Sequence, residues 1–280
     1  MSKCVFRLTF TFRPANDVII PPFSAKASRL IMYRLSEHYA KLAEAKAPFK
    51  PLSITPILYK GRPLLKLGDY DNPLYLRAGE QYSFRASLVA EDNLPLEKLV
   101  KLESSVVEGF FHTSLILDAV SFECKSLENM GAMDPKLVRV ETISPLLLQL
   151  PSYGRFIKGR HFLFPVPSLM VKSLLDHWNA HCDASQVITS SLHLPLSSNY
   201  TLMEVDYNLR PVTVYYDKIR RPRGIMGWIV YQVRRKRKGR TYRELMKLLE
   251  YARYIGVGRS RATGFGQVLV NFDSDGHEQT

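Results

Sequence analysis

An apolar and aromatic run from Val5 to Phe12 predicts a strand, closed by turn chemistry at Arg13, Pro14, Asn16 and Asp17. Apolar positions then recur at steps of three and four, at Leu30, Ile31, Leu35, Tyr39 and Leu42. This period predicts one helix from about Ser24 to Ala45, stopped by Pro48 and Pro51. Strand runs follow at Leu52 to Tyr59, Pro63 to Leu67 and Gln81 to Ala90, punctuated by Gly61, Gly68, Asn72, Pro73 and Gly79. Leu94 to Val107 reads as a second helix and Phe110 to Cys124 as a strand or hairpin. The polar stretch Ser126 to Asp134 breaks the pattern, which then begins again. Lys136 to Ser144 reads as a strand and Ser168 to His181 as a helix. Val212 to Tyr216 and Gly224 to Val233 read as a hairpin, Thr241 to Tyr254 as the last helix and Val268 to Phe272 as the final strand. Leu146 to Pro167 predicts no element. Strand, helix, strand, strand, helix, strand, read twice, is the ferredoxin-like order. The expected fold is therefore α+β, with two tandem ferredoxin-like (βαββαβ) domains, 1–125 and 136–280, packed side by side around a cleft.

Two hundred and eighty residues, 46% of them hydrophobic, are enough to give each half a core. A formal charge of +13 concentrates anions around the chain, and nucleic acid is the expected polyanionic partner. Cys4, Cys124 and Cys182 have no metal-ligand spacing, so a reduced setting with no metal site and no cofactor is expected. The first residues lack the pattern of a secretory signal and no apolar run is long enough to cross a bilayer, so the reading is cytoplasmic.

The segment Gly256-Val257-Gly258-Arg259-Ser260-Arg261-Ala262-Thr263-Gly264-Phe265-Gly266 carries the most information. Residues without a Cβ let backbone N–H groups crowd against a polyanion, and Arg259 and Arg261 add cationic forks. The loop follows a helix and precedes a strand, the reverse of a mononucleotide-binding loop, so a nucleic-acid backbone is the better ligand. Two basic runs lie nearby in sequence: Lys218, Arg220, Arg221 and Arg223 in the hairpin turn, and Arg234, Arg235, Lys236, Arg237, Lys238 and Arg240 before the last helix. A single such run is usually a solvated turn. Two of them with the glycine loop in one domain point to phosphate contacts.

Arg223-Gly224-Ile225-Met226-Gly227-Trp228-Ile229, the last helix and the glycine loop together resemble the C-terminal half of the CRISPR repeat-processing endoribonucleases, the sixth family of Cas proteins, and most closely its crenarchaeal branch. Leu137 to Leu146 resembles the family's opening strand of the second domain, and Pro21 to Lys26 the entry to its first helix. The resemblance covers the whole order of elements and is specific in the last sixty-odd residues. It implies a metal-independent enzyme that cuts CRISPR repeat RNA. The ribose 2′-OH attacks the adjacent phosphate, leaving a 2′,3′-cyclic phosphate (or 3′-phosphate) and a 5′-OH. A non-catalytic RNA-binding subunit of a CRISPR effector complex shares the glycine loop and is the alternative. An interference complex and a second copy of the chain are the further partners the resemblance brings in.

Many members place a Tyr, a His and a Lys around the first helix and the following strand. Here Tyr33 matches the tyrosine, Lys50 the lysine, and the histidine is missing. His38 stands at a different spacing and reads as a surface residue. The crenarchaeal pattern implies a basic cluster instead, at Lys26, Arg29, Lys50 and the loop arginines, with Lys26, Arg29 and Tyr33 spaced to share one helix face. A lysine among other cations has a lowered pKa and shuttles protons better near neutrality. The candidate catalytic residues are thus Lys26, Arg29, Tyr33 and Lys50. The candidate RNA-binding residues are the two basic runs with Gly256, Gly258, Arg259, Ser260, Arg261, Gly264 and Gly266.

Overall fold

The computed structural model describes residues 2–68, 70–94, 106–150, 159–234 and 239–273. Its first half runs through β1 (Lys3–Pro14), β2 (Val18–Ile20), α1 (Ala25–Leu35), α2 (Glu37–Glu44), β3 (Leu52–Ile54), β4 (Leu58–Tyr59), β5 (Arg62–Pro63), β6 (Leu74–Leu76), β7 (Tyr82–Glu91), β8 (Val106–Phe110) and β9 (Thr113–Ser126). The second half continues with β10 (Leu137–Thr142), β11 (Leu148–Gln149), β12 (His161–Phe162), α3 (Pro167–His181), α4 (His193–Thr201), β13 (Leu202–Thr213), β14 (Arg223–Val233), α5 (Arg240–Ile255) and β15 (Val268–Asp273).

Phe6, Leu8, Phe10 and Phe12 on β1 are buried, while Arg7, Thr9 and Thr11 between them are half-buried on the other face, the period of two that a strand requires. Each buried side chain contributes about 1.5–3 kcal/mol. β1 lies between β7 and β9 in the first sheet, of order β5-β4-β7-β1-β9-β8 with β3 also on β7. The second sheet has the order β13-β14-β10-β15. β1 and β7 are central in the first sheet, flanked by β3/β4 and β9, and β10 and β14 in the second, flanked by β15 and β13; neighbours are antiparallel, which is the ferredoxin-like arrangement.

The expected helix from Ser24 to Ala45 is two helices. Ser36 takes an extended conformation (φ −145°, ψ 108°) and its Oγ accepts from Tyr39 N at 3.1 Å, so one residue ends α1 and caps α2. The expected strand Leu52 to Tyr59 is likewise divided. Pro56 has no N–H to donate, and Thr55 Oγ1 takes the Arg85 N–H that a ladder would have used. Within Pro63 to Leu67, only Pro63 lies in a strand and Leu65 makes an isolated bridge to Phe23. Residues 95–105 of the expected second helix lie outside the described residues, and Val106 and Val107 open β8.

Two further differences lie in the second half. The hairpin's first arm starts at Leu202 rather than Val212, and Val214 to Tyr216 lie beyond its end. β13 is an edge strand exposed over most of its length, so it carries no alternation to detect. Helix α4 was not expected either, because Leu192, Leu196 and Tyr200 point to solvent and leave no buried stripe pattern.

The two sheets are joined through α5. Val5 and Val89 of the first sheet belong to the core that α3, α5 and the second sheet build. The last carbonyls of α5 receive donors from the first half. Arg7 Nη2 donates to Arg253 O, and Ser53 Oγ to Tyr254 O at 3.2 Å. A cation at a helix C-terminus also compensates its dipole. The Arg7 guanidinium lies 4.4 Å from the centre of the Tyr254 ring.

Candidate active site

A cleft of about 570 Å³ opens where the halves meet, lined by Arg29 from α1, Pro48 to Lys50, Leu147 to Leu150, one face of α3 and residues 258–263 of the glycine loop. Four of the expected cationic residues line it from distant parts of the chain: Arg29, Lys50, Arg259 and, buried in its wall, Arg261.

The loop is held in place by contacts that admit no Cβ. One built on Gly266 would stand 1.9 Å from Val257 O, and one on Gly264 would stand 2.1 Å from Ala25 Cβ at the start of α1. The loop therefore folds on itself and docks against the first helix, which sets Arg259 facing Arg29 and Lys50 across the cleft. The expectation that the glycine amides crowd against a polyanion is corrected here. Gly256 N donates to Ala252 O, Gly258 N to Ser173 Oγ, Gly264 N to Arg261 O and Gly266 N to Pro145 O. Those four N–H groups have partners inside the protein. Among the loop's expected RNA-binding residues, the side chains of Arg259 and Ser260 are exposed.

Arg261 is buried, which corrects its expected exposure beside Arg259. Its Nη2 donates to Ser173 O at 3.2 Å and its Nη1 to Gly256 O at 3.4 Å. Burial pushes its pKa down to about 10, against the raising influence of Tyr251 and Asp176. The guanidinium ties the loop to α3.

Lys26, Arg29 and Tyr33 line up along α1, and Tyr216, from the hairpin turn, joins them. Arg29 Nη1 donates to Tyr216 Oη at 3.3 Å and Nη2 to Tyr33 Oη at 3.4 Å, and its Nε is buried without a partner among the described residues. Lys26 Nζ lies 4.6 Å from the centre of the Tyr216 ring, and the Arg220 guanidinium 4.7 Å from it. Arg29 therefore sits among phenol groups and makes no ion pair among the described residues. The pKa of Lys26 is lowered, first by burial and then by Arg220 and Arg29, against the pull of Asp217 and Asp71. Lys26 does not line the main cleft. It lines a second one of about 360 Å³ with Asp71, Tyr215, Tyr216, Asp217 and Lys218.

Lys50 stands in the irregular segment after α2, where its Nζ donates to Ala43 O. Its carbonyl oxygen accepts from His177 Nε2 at 2.9 Å. His38 is half-buried on α2 and is not part of the cleft lining.

In the hairpin turn, Lys218, Arg220, Arg221 and Arg223 are exposed, as is Arg234 after β14. Arg220 pairs with Asp217 at 2.5 Å, and Arg221 lies 4.0 Å from the centre of the Tyr215 ring. Arg220's backbone and side-chain hydrogen bonds lower the Asp217 pKa to about 2. Arg235, Lys236 and Arg237 lie outside the described residues.

Residue-by-residue reading missed Tyr216 and the cleft face of α3, where Leu169, Lys172, Ser173, Asp176 and His177 line the cavity. Their spacing of three and four was the available signal. Lys172 pairs with Asp176 at 2.5 Å. The cleft thus offers a phosphate cationic side chains from both halves of the chain, in surroundings that are partly apolar and so strengthen their field.

Residues 6–124 match the family model described as the Cas6 N-terminal domain, and residues 140–268 the one described as CRISPR-associated endoribonuclease Cas6. The chain is 25% identical over 284 residues to CRISPR-associated endoribonuclease Cas6 2 of Saccharolobus solfataricus, and 25% over 291 residues to Cas6 1 of the same organism, covering 96% of this chain and of each relative. Among solved structures it resembles Thermus thermophilus Cas6, with a TM-score of 0.65 at 17% identity over 97% of this chain and 100% of that one. A Cas6 product complex superposes with a TM-score of 0.68 at 20% identity over 95% of this chain and 99% of that one.

Proposed function

Because the chain belongs to the Cas6 family of CRISPR-associated endoribonucleases, we propose that it cuts CRISPR repeat RNA in the cleft between its two halves. The observation that carries this reading is the convergence of Arg29 and Lys50 from the first half with Arg259 from the second on one cavity. In the proposed reaction the substrate's own 2′-oxygen forms a bond to phosphorus and the bond from phosphorus to the 5′-oxygen breaks. The 2′-OH gives up a proton and the departing 5′-oxygen gains one, leaving a 2′,3′-cyclic phosphate and a 5′-OH. The step gathers negative charge on the phosphorane oxygens, and fixed cations in a partly dry cleft stabilise that charge more than they stabilise the ground state.

In this reading Arg29 and Lys50 face the scissile phosphate and Arg259 holds a flanking one. Tyr33 and Tyr216 orient the Arg29 fork through their hydroxyls. Lys26, outside the cleft that takes the scissile phosphate, lines the second cleft and offers a cation to flanking RNA. Arg221 on Tyr215, with Lys218, Arg223 and Arg234, offers an exposed basic surface for the rest of the repeat. Hand-over of the cut RNA to an interference complex, pairing of two copies and a cytoplasmic setting belong to the same reading and rest on the family alone.

Incubation with end-labelled repeat RNA, and with the same RNA carrying 2′-deoxyribose at the scissile nucleotide, tests the reaction. One cut ending in a cyclic phosphate is expected with the first and none with the second, at nearly equal affinity. Cleavage of the deoxy RNA would overturn the mechanism, and protection of both RNAs would favour the non-catalytic subunit.

A further inference from the structure

His177 is buried at 2% exposure, lies under the cleft floor on α3, and has both ring nitrogens engaged. Nε2 is 2.9 Å from Lys50 O, and Nδ1 is 2.7 Å from Tyr251 Oη on α5. A carbonyl oxygen can only accept, so Nε2 must carry the proton. Nδ1 is then left with its lone pair, and the Tyr251 hydroxyl must donate to it. The Lys50 carbonyl thereby sets the tautomer, and the Tyr251 hydroxyl holds the ring so that its N–H points at that carbonyl. One turn along α3, the His181 ring packs against that of His177, with centroids 4.6 Å apart.

The segment that His177 grips is otherwise held by Lys50 Nζ on Ala43 O and, at its far end, by Pro51 O, which accepts from Val89 N at 2.7 Å. Residues 45–51 belong to no helix or strand, and Glu44 to Phe49 are exposed. Lys50 is the residue through which this segment reaches the cleft with a charge, and its position relative to Arg29 and Arg259 depends on a backbone with no sheet ladder of its own.

We propose that His177, oriented by Tyr251, is a positioning residue for cleavage, holding the Lys50 backbone so that the ammonium reaches the scissile phosphate. The proposal rests on the reading that Lys50 acts on the phosphate. His177 itself touches no substrate, and its proton stays on Nε2 throughout. Burial, helped by Arg261 and His181, keeps the ring neutral, which the arrangement requires because a protonated ring could not accept from Tyr251.

The two nitrogens can be tested separately, since a glutamine amide reaches the Nε2 position and an asparagine amide the Nδ1 position. His177→Gln keeps a donor for Lys50 O, whereas His177→Asn keeps only the partner of Tyr251. Single-turnover cleavage of repeat RNA and affinity for the 2′-deoxy RNA are measured for both, with melting temperatures as a check on folding. A misplacement of about 1 Å can cost about a hundredfold in rate. His177→Asn is expected to slow cleavage by that order with affinity changed less than about twofold, and His177→Gln to recover most of the rate. In a Lys50→Ala background, His177→Asn should produce no further loss. Equal rate losses in both variants, or a further full loss in the double variant, would overturn the proposal by making His177 a fold residue only.

Should His177→Asn fail to fold, the near-isosteric Tyr251→Phe replaces it. It removes the hydroxyl that orients the ring and is expected to slow cleavage about tenfold, and an unchanged rate would overturn the proposal. Lys50→Ala by itself separates the two readings. If it cuts at the parent rate, the role of Lys50 fails. If it is slow while His177→Asn is not, only the role of His177 fails.

Discussion

Arg259 is exposed on the cleft, while two positions on Arg261 is buried with its guanidinium on the carbonyls of Ser173 and Gly256. Substitution should therefore separate them. Arg259→Ala is expected to weaken RNA binding and reduce the slope of log affinity against log salt by about one, with the melting temperature unchanged. Arg261→Ala is expected to lower the melting temperature, because the buried Gly256 carbonyl loses this donor, at about 1–3 kcal/mol, and the tie to Ser173 O on α3 is lost. The guanidinium of Arg29 bridges the hydroxyls of Tyr33 and Tyr216, a fork that an ammonium cannot reproduce. Arg29→Lys should then slow single-turnover cleavage about tenfold, less than the roughly hundredfold loss expected of Arg29→Ala, since some cationic charge remains.

At the scale of elements, the break at Ser36 ends α1 and starts α2, the helix that leads into the Lys50 segment. Ser36→Ala removes the acceptor for Tyr39 N and should cost about 1 kcal/mol in a denaturant titration. Helix α3 carries the buried His177, which meets the Lys50 backbone, and the half-buried His181, and both have lowered pKa values, chiefly through burial. The sign of the consequence is fixed. Below the ordinary histidine pKa of about 6.5 the unfolded chain takes up protons that the folded chain refuses. Stability is thus fully present above that pH and declines as pH falls through it. Melting temperatures should drop more steeply from pH 7.5 to pH 5.5 in the parent than in His177→Gln, which removes one of the two titrating groups. Parallel profiles would show that His177 does not contribute.

The two sheets share a core, since Val5 and Val89 pack among residues of the second half, and Glu250 of α5 ties the connecting stretch through Gly131 N at 2.7 Å. The whole molecule should therefore unfold in one calorimetric transition, with calorimetric and van't Hoff enthalpies agreeing. Arg7→Ala removes the side chain that caps α5 across the junction and should cost about 1.5–3 kcal/mol without splitting that transition. Two separated transitions would mean that the halves hold independently. The net charge of +13 draws the RNA in over long distances. Convergence at the junction gives that general attraction a single focus.

Periodicity along the chain was enough to place β1, β7, α3, α5 and β15 within a few residues, because each buries one face with a regular repeat. The exposed edge strand β13 and the short helix α4 have no such repeat and were not legible. The glycine loop identified Arg259 as a candidate, since cations and residues without a Cβ are visible one at a time, and the family resemblance implied Arg29 and Lys50. Tertiary packing alone decided that these three meet, that Arg261 turns inward, that Tyr216 joins the row on α1, and that His177 and Tyr251 reach Lys50. These contacts join distant positions, 187 residues apart in the case of Arg29 and Tyr216. A local pattern reports which face of an element is buried. It carries no information about which distant element covers that face, and that is what sets burial, hydrogen-bond partners and proton affinity.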